Sequence, residues 1–474
     1  MKTRPVVLSF SQSAEPSQIH GAVRFAKRSG TDSERVSVPE SLSKLATWGL
    51  AIAIAALNAM PASAQTLSEK VLAMEQGLEQ DFAEYFGETP QPVTQGPAEI
   101  AATLARLGAE TGTNPAVLWV IPRGDHLHLV LLTAQGQPIV RDLYDVPDTE
   151  LRRVVSDFML ETSSVVPRRT RPAAQKLHEW MIEPYESEFL AAEGIDTLLF
   201  CLGNGVRGLP LAALHDGNQF LIEKYSLTRI PAFNLIQTDY TALRPGNILA
   251  MGASEFQAQE PLPAVPTELS SILAELRSTR PEGEIWSGRS FLNQDFTLPN
   301  LRLWLRAQSP TVVHLATHAV FEPGAPANSY IQLWDRRLSL QDMGQVNWNS
   351  PDLELLVLSA CRTAVGDDEA EMGFAGLALQ SGVKSALASL WNVDDAGTLA
   401  LMNEFYAALD QAPTKAEALR QAQLAMLRGE ARFEANQLLL SRGAVPVPAD
   451  LETSPADLSA PYYWAGFSLI SSPW

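Results

Sequence analysis

The sequence predicts an α/β architecture built on a mostly parallel sheet. Short apolar runs at Thr197–Leu202, Asn247–Gly252, Thr311–Ala316, Leu353–Ala360 and Val383–Trp391 alternate with helical stretches. Runs of this kind are strands buried on both faces, and the helices between them are the crossovers of a parallel sheet. Hydrophobic residues make up 46% of the 474 and charged residues 19%, enough apolar surface for a large core. No internal repeat of roughly 30–50 residues is present, which excludes a helical solenoid.

Along the chain, Leu45–Leu57 is an apolar run preceded by Lys44 and followed by Ala62-Ser63-Ala64. It is short of the roughly 20 residues that span a bilayer. A positive flank, a short apolar run and a small-x-small site match a secretory signal peptide cut after Ala64. The 44 residues ahead of the run are long for the start of such a signal. Leu67–Phe86 carries Leu67, Val71, Met74, Leu78 and Phe82 at helical spacing. Pro90–Pro97 reads as a linker and Ala98–Leu107 as a second helix. Ala116–Ile121 and His126–Leu132 read as strands around an Arg123-Gly124-Asp125 turn. Asp148–Glu161 and Arg171–Ala192 read as helices. Within the α/β part, helices are expected at Pro266–Arg280, Phe296–Ala307, Gly373–Gly382, Asp395–Leu409 and Thr414–Leu427, with a last strand at Ala465–Ser471.

Composition removes several function classes. A net charge of −19 argues against a nucleic-acid partner, which needs a basic surface. Two cysteines, Cys201 and Cys361, exclude a disulfide framework and a cysteine-rich zinc site. Neither a Gly-x-Ser-x-Gly elbow nor a phosphate loop occurs. His126 and His128 share a strand face, but no further ligand is evident in the sequence, so an ordinary strand face and no metal are expected. Cys201 lies inside an apolar run and reads as buried and inert.

Two runs carry the chemistry. Val312–His318 is a buried strand ending in His318, and Leu353–Cys361 is another ending in Ala360-Cys361. Sites in open parallel sheets form at the carboxyl ends of strands. If the two strands are neighbours, His318 and Cys361 face one cleft. A thiolate is the nucleophile and an imidazole handles its proton and that of the leaving amine. The backbone N–H groups of Cys361 and Ala319 are the candidate oxyanion hole. His314 reads as a packed core residue.

Six blocks in order then suggest a family. They are Leu209–Leu214 with Leu262-Pro263-Ala264; His314-Leu315-Ala316-Thr317-His318-Ala319; Leu358-Ser359-Ala360-Cys361-Arg362-Thr363-Ala364; Gly376-Leu377-Ala378; Ser389-Leu390-Trp391 with Val393-Asp394-Asp395; and Phe405-Tyr406 with Trp464-Ala465-Gly466-Phe467. Together they resemble the CHAT family, a branch of the caspase-like cysteine peptidases with separase and gingipain relatives. The resemblance implies a caspase-like sheet flanked by helices, with His318 and Cys361 as the dyad. The chain then divides into a leader with a signal peptide at 1–64, a smaller α+β region of helices and a hairpin at 65–147, and the peptidase domain at 148–474. The family has Gly where this chain has Ala319, and a positive φ there would strain alanine.

The resemblance further implies that the strand ending at Trp391, with Ser389, pairs with an extended substrate. Its relatives cleave after basic residues through an acidic pocket. Asp394 is expected to be the pocket residue and Asp395 the cap of the helix that follows. The acidic segment Val365–Met372 is expected to be a flexible loop. The reading is a bacterial, periplasmic or secreted cysteine endopeptidase acting on a protein or peptide, without cofactor and without membrane insertion after signal cleavage. The competing reading is an idle scaffold, or a peptidase that needs an activating protein partner.

Overall fold

The computed structural model describes residues 66–89, 91–165, 170–243, 246–278, 286–346, 348, 350, 352–363, 366–449, 451–453 and 456–474. The expected leader falls outside them, while Gln65–Trp474 forms one compact unit.

Thr66 opens helix α1 (Leu67–Phe86) with a capping box: its side chain accepts from Glu69 N, and Glu69 reaches back to Thr66 N at 2.7 Å. Gly87 ends the helix in the left-handed conformation that glycine adopts without strain. Helix α2 (Pro97–Thr111) starts on a proline, whose missing N–H costs nothing in a first turn. Strands β1 (Pro115–Pro122), β2 (Leu127–Leu132) and β3 (Ile139–Leu143) then form an antiparallel meander. Helices α3 (Asp148–Thr162) and α4 (Pro172–Met181) follow. The helix expected to run to Ala192 is interrupted after Met181, where Pro184 cannot donate to the carbonyl four residues back, and resumes as a short turn at Glu183–Tyr185 and a π turn at Glu186–Leu190.

The α/β part comprises β4 (Thr197–Leu202), β5 (Ser226–Ile230), β6 (Asn247–Gly252), α5 (Val265–Ser278), β7 (Ser287–Leu292), α6 (Leu298–Gln308), β8 (Val312–Phe321), β9 (Tyr330–Gln332), β10 (Arg337–Ser339) and β11 (Leu355–Thr363). Then come α7 (Asp368–Ala375), α8 (Leu377–Ser381), β12 (Ser385–Ser389), α9 (Asp395–Leu409), α10 (Lys415–Leu427), a small sheet of β13 (Arg432–Glu434), β14 (Gln437–Leu440) and β15 (Gly443–Pro446), and finally β16 (Phe467–Ser471). Within the acidic segment expected as a loop, Asp368–Met372 forms the start of α7. Asp367 caps it by accepting from Glu369 N and Ala370 N, and Asp368, Glu369 and Glu371 lie in its first turn, where the helix dipole favours anions.

The main sheet runs β10-β9-β8-β11-β12-β16-β5-β4-β1-β2-β3, with β6 and then β7 beside β8. Two parallel blocks compose it, β7-β6-β8-β11-β12 and β16-β5-β4-β1, and they meet antiparallel at β12/β16. The expected mostly parallel sheet flanked by helices is therefore present, and the meander β1–β3 belongs to that same sheet. Every residue of β4, β5 and β12 is buried, as strands covered on both faces must be. Over one end of the molecule, Phe82 of α1 packs with Met372 and Ala375 of α7, and Asp81 pairs with the buried Arg207 at 3.1 Å.

Candidate active site

Strands β8 and β11 are neighbours and parallel. Their register is regular from Val312↔Leu355 to Leu315↔Leu358, and then shifts. Beyond the shift Ala360 faces His318 and Cys361 faces Ala319. Strand β8 thus advances three residues while β11 advances two. A bulge of this kind re-aims the side chains that follow it. Here it brings His318 and Cys361 to adjacent rungs of one ladder.

Both strands run further than expected, to Phe321 and Thr363. Their flanking partners stop earlier. The β6–β8 ladder ends at Gly252↔Ala316, and the β11–β12 ladder ends at Val357↔Leu387. Past those rungs β8 is bordered by β9 through Ala319↔Ile331 and Val320↔Tyr330, and Thr363 N donates to the Leu390 carbonyl at 3.1 Å, so both residues lie within their strands rather than at the strand ends expected to hold them.

His318 is half-buried, and its Nε2 lies 2.8 Å from the Glu260 carbonyl oxygen. A carbonyl only accepts, so Nε2 carries the hydrogen and Nδ1 holds the lone pair. The Phe256 ring lies against the imidazole, tilted by 55° with centroids 4.6 Å apart. Burial lowers the His318 pKa below its usual 6.5, and the Glu260 carbonyl opposes part of that shift. The imidazole is accordingly neutral at pH 7. Neither Phe256 nor Glu260 is recognisable from sequence, because one acts as a ring face and the other as a backbone carbonyl. Next to Phe256 lies a cavity of about 500 Å³ lined by Glu255, Gln259, Trp334, Asp335 and Arg336 among others. A cavity of about 560 Å³ between α5, α9 and β14–β15 does not include His318 in its lining.

Ala319 pairs with Cys361 on one side and Ile331 on the other. It is absent from the positive-φ residues, which among the described non-glycine positions are Asn293, Ser309, Ala435, Asn436 and Ser471. Alanine therefore meets no strain at this position. Ser389 is buried and donates to the Trp391 carbonyl at 2.9 Å. The Trp391 indole donates to the Tyr462 carbonyl at 3.0 Å and lies on Gly466, where an added Cβ would come within 2.8 Å of the ring. Strand β12 has β11 on one edge and β16 on the other. An added substrate strand would have to use Trp391 and the residues after it.

The helix cap falls on Asp394 and not on Asp395 as expected. Asp394 is the cap of α9, its Oδ1 accepting from Gly397 N at 2.5 Å. Asp395 instead accepts from Ala264 N at 2.5 Å, tying α9 to the Leu262-Pro263-Ala264 segment. Burial raises the Asp394 pKa, and its bond from Gly397 works in the other direction.

His314 is a core residue, as expected. It is fully buried, with Nδ1 3.1 Å from the Tyr406 hydroxyl and Nε2 2.9 Å from Glu268 Oε1. That last contact is close enough for an ion pair, and both Glu268 oxygens lack a hydrogen-bond partner. Cys201 is unbridged and buried, its thiol donating to the Pro231 carbonyl at 3.2 Å. Burial raises its pKa well above the ordinary value, which keeps it inert.

A model of the CHAT domain matches residues 171–472. No curated protein matches the chain. Among solved structures, the chain is similar to the Saccharomyces cerevisiae separase–securin complex at 10% identity and a TM-score of 0.48, covering 87% of this chain and 34% of that one. A second structure of that complex gives 10% identity and 0.46, covering 85% and 33%. The Porphyromonas gingivalis RgpB pro- and mature domains give 11% identity and 0.40, covering 75% and 78%. The chain thus spans about a third of the separase chains it matches. Among the described residues no helix is long and apolar enough to cross a membrane.

Proposed function

The chain belongs to the CHAT domain family, and we propose that it is a caspase-like cysteine endopeptidase working through Cys361 and His318. The observations that carry this reading are the CHAT-domain match and the adjacency of β8 and β11, whose ladder sets the His318 and Cys361 backbones one rung apart. The Glu260 carbonyl supports it further, because it occupies Nε2 and leaves Nδ1 to accept the thiol proton.

In the reaction, Nδ1 of His318 takes the Cys361 proton as sulfur attacks the scissile carbonyl carbon. The oxygen of the tetrahedral intermediate is held by backbone N–H groups, with those of Cys361 and Ala319 as candidates. The imidazolium then protonates the leaving amine as the C–N bond breaks, leaving a thioester. Water, deprotonated by the same imidazole, attacks the thioester and releases the acid and the thiol.

The finer parts of the proposal are a preference for Arg or Lys before the scissile bond, served by Asp394, and export of a bacterial chain cut after Ala64. The Asp394 cap engages Oδ1, and Oδ2 is the oxygen that would meet a guanidinium. Substrate backbone would lie along Trp391 and beyond.

An arginyl chloromethyl ketone tests the reading by intact mass. One inhibitor gained per chain, and none in Cys361→Ala, is the expected result. No adduct on the folded protein would move the reading to an idle scaffold. An adduct that forms only after a partner protein is added would make it a partner-activated peptidase.

A further inference from the structure

The far edge of the sheet holds a second histidine cluster. His126 sits in the turn before β2, and His128 on β2 faces Asp142 on β3 directly across the ladder. Asp142 supplies what the sequence alone lacked, a third candidate ligand, since cross-strand partners are invisible until register is known. One oxygen, Asp142 Oδ1, lies 2.5 Å from His128 Nδ1 and 3.5 Å from His126 Nε2. All three donor atoms fall within 4.8 Å of one another.

The fourth member of the group sets the tautomer. Asp125 Oδ1 lies 2.7 Å from His126 Nδ1. A carboxylate there accepts the Nδ1 hydrogen, so the neutral ring presents its lone pair at Nε2. In that form Nε2 faces Asp142 Oδ1 at 3.5 Å, a spacing that a ring proton or a metal ion can bridge. A carboxylate holding the outer nitrogen of a ligating imidazole is how metal sites orient their histidines. The three ligand side chains are only partly exposed, at 17% for His126, 21% for His128 and 35% for Asp142, so they are held in place yet open to solvent.

We propose that His126 Nε2, His128 Nδ1 and Asp142 Oδ1 bind a divalent transition metal of the zinc class, with Asp125 as the orienting carboxylate. Two imidazoles and one carboxylate suit zinc and not magnesium or calcium, which take oxygen ligands. Tetrahedral bonds of about 2.0–2.1 Å set donor atoms about 3.3 Å apart. The 2.5 and 3.5 Å separations bracket that spacing, so small side-chain adjustments close the site. The fourth position faces solvent and takes water or an exogenous donor. Bound there, the ion clamps the edge strand β3 to β2 at the end of their ladder, beside the Tyr144 ring stacked 4.6 Å from His126.

The test uses the full chain carrying Cys361→Ala, which removes the thiol at the candidate active site as a rival ligand. After loading with zinc chloride and passage over a weak chelating resin, retained zinc is read with a chromophoric chelator. One equivalent is expected in this parent, with losses of at least tenfold in His128→Ala and Asp142→Ala. Asp125→Asn should weaken binding by about 10–100-fold without removing a ligand. Circular dichroism without zinc checks that each variant is folded, and Asp125→Asn carries the test if the others are not. Cobalt chloride should give d–d bands in the parent that vanish in the variants. A parent that retains no zinc, or variants that retain as much as the parent, would overturn the site.

Discussion

His314 and His318 lie four residues apart on one strand, and the sheet uses them in opposite ways. His314 is wholly buried, bounded by Tyr406 on α9 and Glu268 on α5. His318 lies beyond the last rung of β6, half exposed, with one nitrogen on a backbone carbonyl. Interior histidines are tied to stability. A histidine at the opening of the sheet keeps one nitrogen for chemistry. The difference comes from where the neighbouring strands stop, not from the residue type.

The largest expected effects test the open end. Cys361→Ala should lower kcat/KM by about 10⁴-fold or more, and His318→Ala by about 10²–10⁴-fold, with folding retained. Peptide turnover and circular dichroism measured together check this. Unfolding of His318→Ala would erase the contrast between the two histidines. The pH profile sharpens the same point. The neutral imidazole is the active base, and burial holds its pKa below 6.5, so the acid limb of kcat/KM should fall below pH 6.5. An acid limb above 6.5 would mean that a carboxylate, rather than the Glu260 carbonyl, governs His318.

The interior half of the comparison predicts a loss of stability. Glu268→Ala removes one partner of a buried pair and should cost about 3–5 kcal/mol of unfolding free energy. Denaturant unfolding measures it. Activity per folded molecule should stay near the parent value, because neither group contacts His318. Burial together with the Glu268 charge raises the Tyr406 pKa, so its hydroxyl stays neutral and cannot replace the lost anion.

How much of this was legible in the sequence depends on how far apart the partners lie in the chain. The motif blocks mark His318 and Cys361 as residues near the ends of two apolar strands, but the short strands β9 and β10 that intervene between β8 and β11 have no such apolar signature. The bulge that sets their register has no signature in residue type. Strand β5 sits at the centre of the sheet, yet Ser226, Thr228 and Arg229 break up any apolar run; the pattern hides it although all five residues are buried. Arg229 resides there because its guanidinium reaches the Leu209 carbonyl at 2.8 Å and the Ser468 hydroxyl at 3.0 Å, partners about 20 and 240 residues away. The cap at Asp394 was misassigned by one residue, a shift that local sequence cannot resolve when two aspartates adjoin.

That cap is the next smaller test. Asp394→Ala should cost about 1 kcal/mol, the usual value of a lost helix cap. If the same carboxylate meets the substrate, it should also reduce the preference for arginine over leucine before the scissile bond. Asp395→Ala, which loses the bond from Ala264 N, should leave that preference intact. Equal effects on selectivity from both variants would separate the cap from the pocket and send the search to the cavity beside Phe256, where Glu255 and Asp335 lie.

The smallest expected effect comes from restoring the family's glycine. Ala319 is buried in the ladder between Cys361 and Ile331, with no positive φ. A glycine at this position gains no conformation that alanine lacks. It loses a side chain from the packed strand and more freedom on folding, so Ala319→Gly should destabilise by about 0.5–1 kcal/mol. Turnover should remain within about twofold of the parent, because the backbone N–H is the same in both residues. A clear gain in kcat would show that residue 319 rotates out of the ladder during the reaction, and that alanine holds the enzyme back at that step.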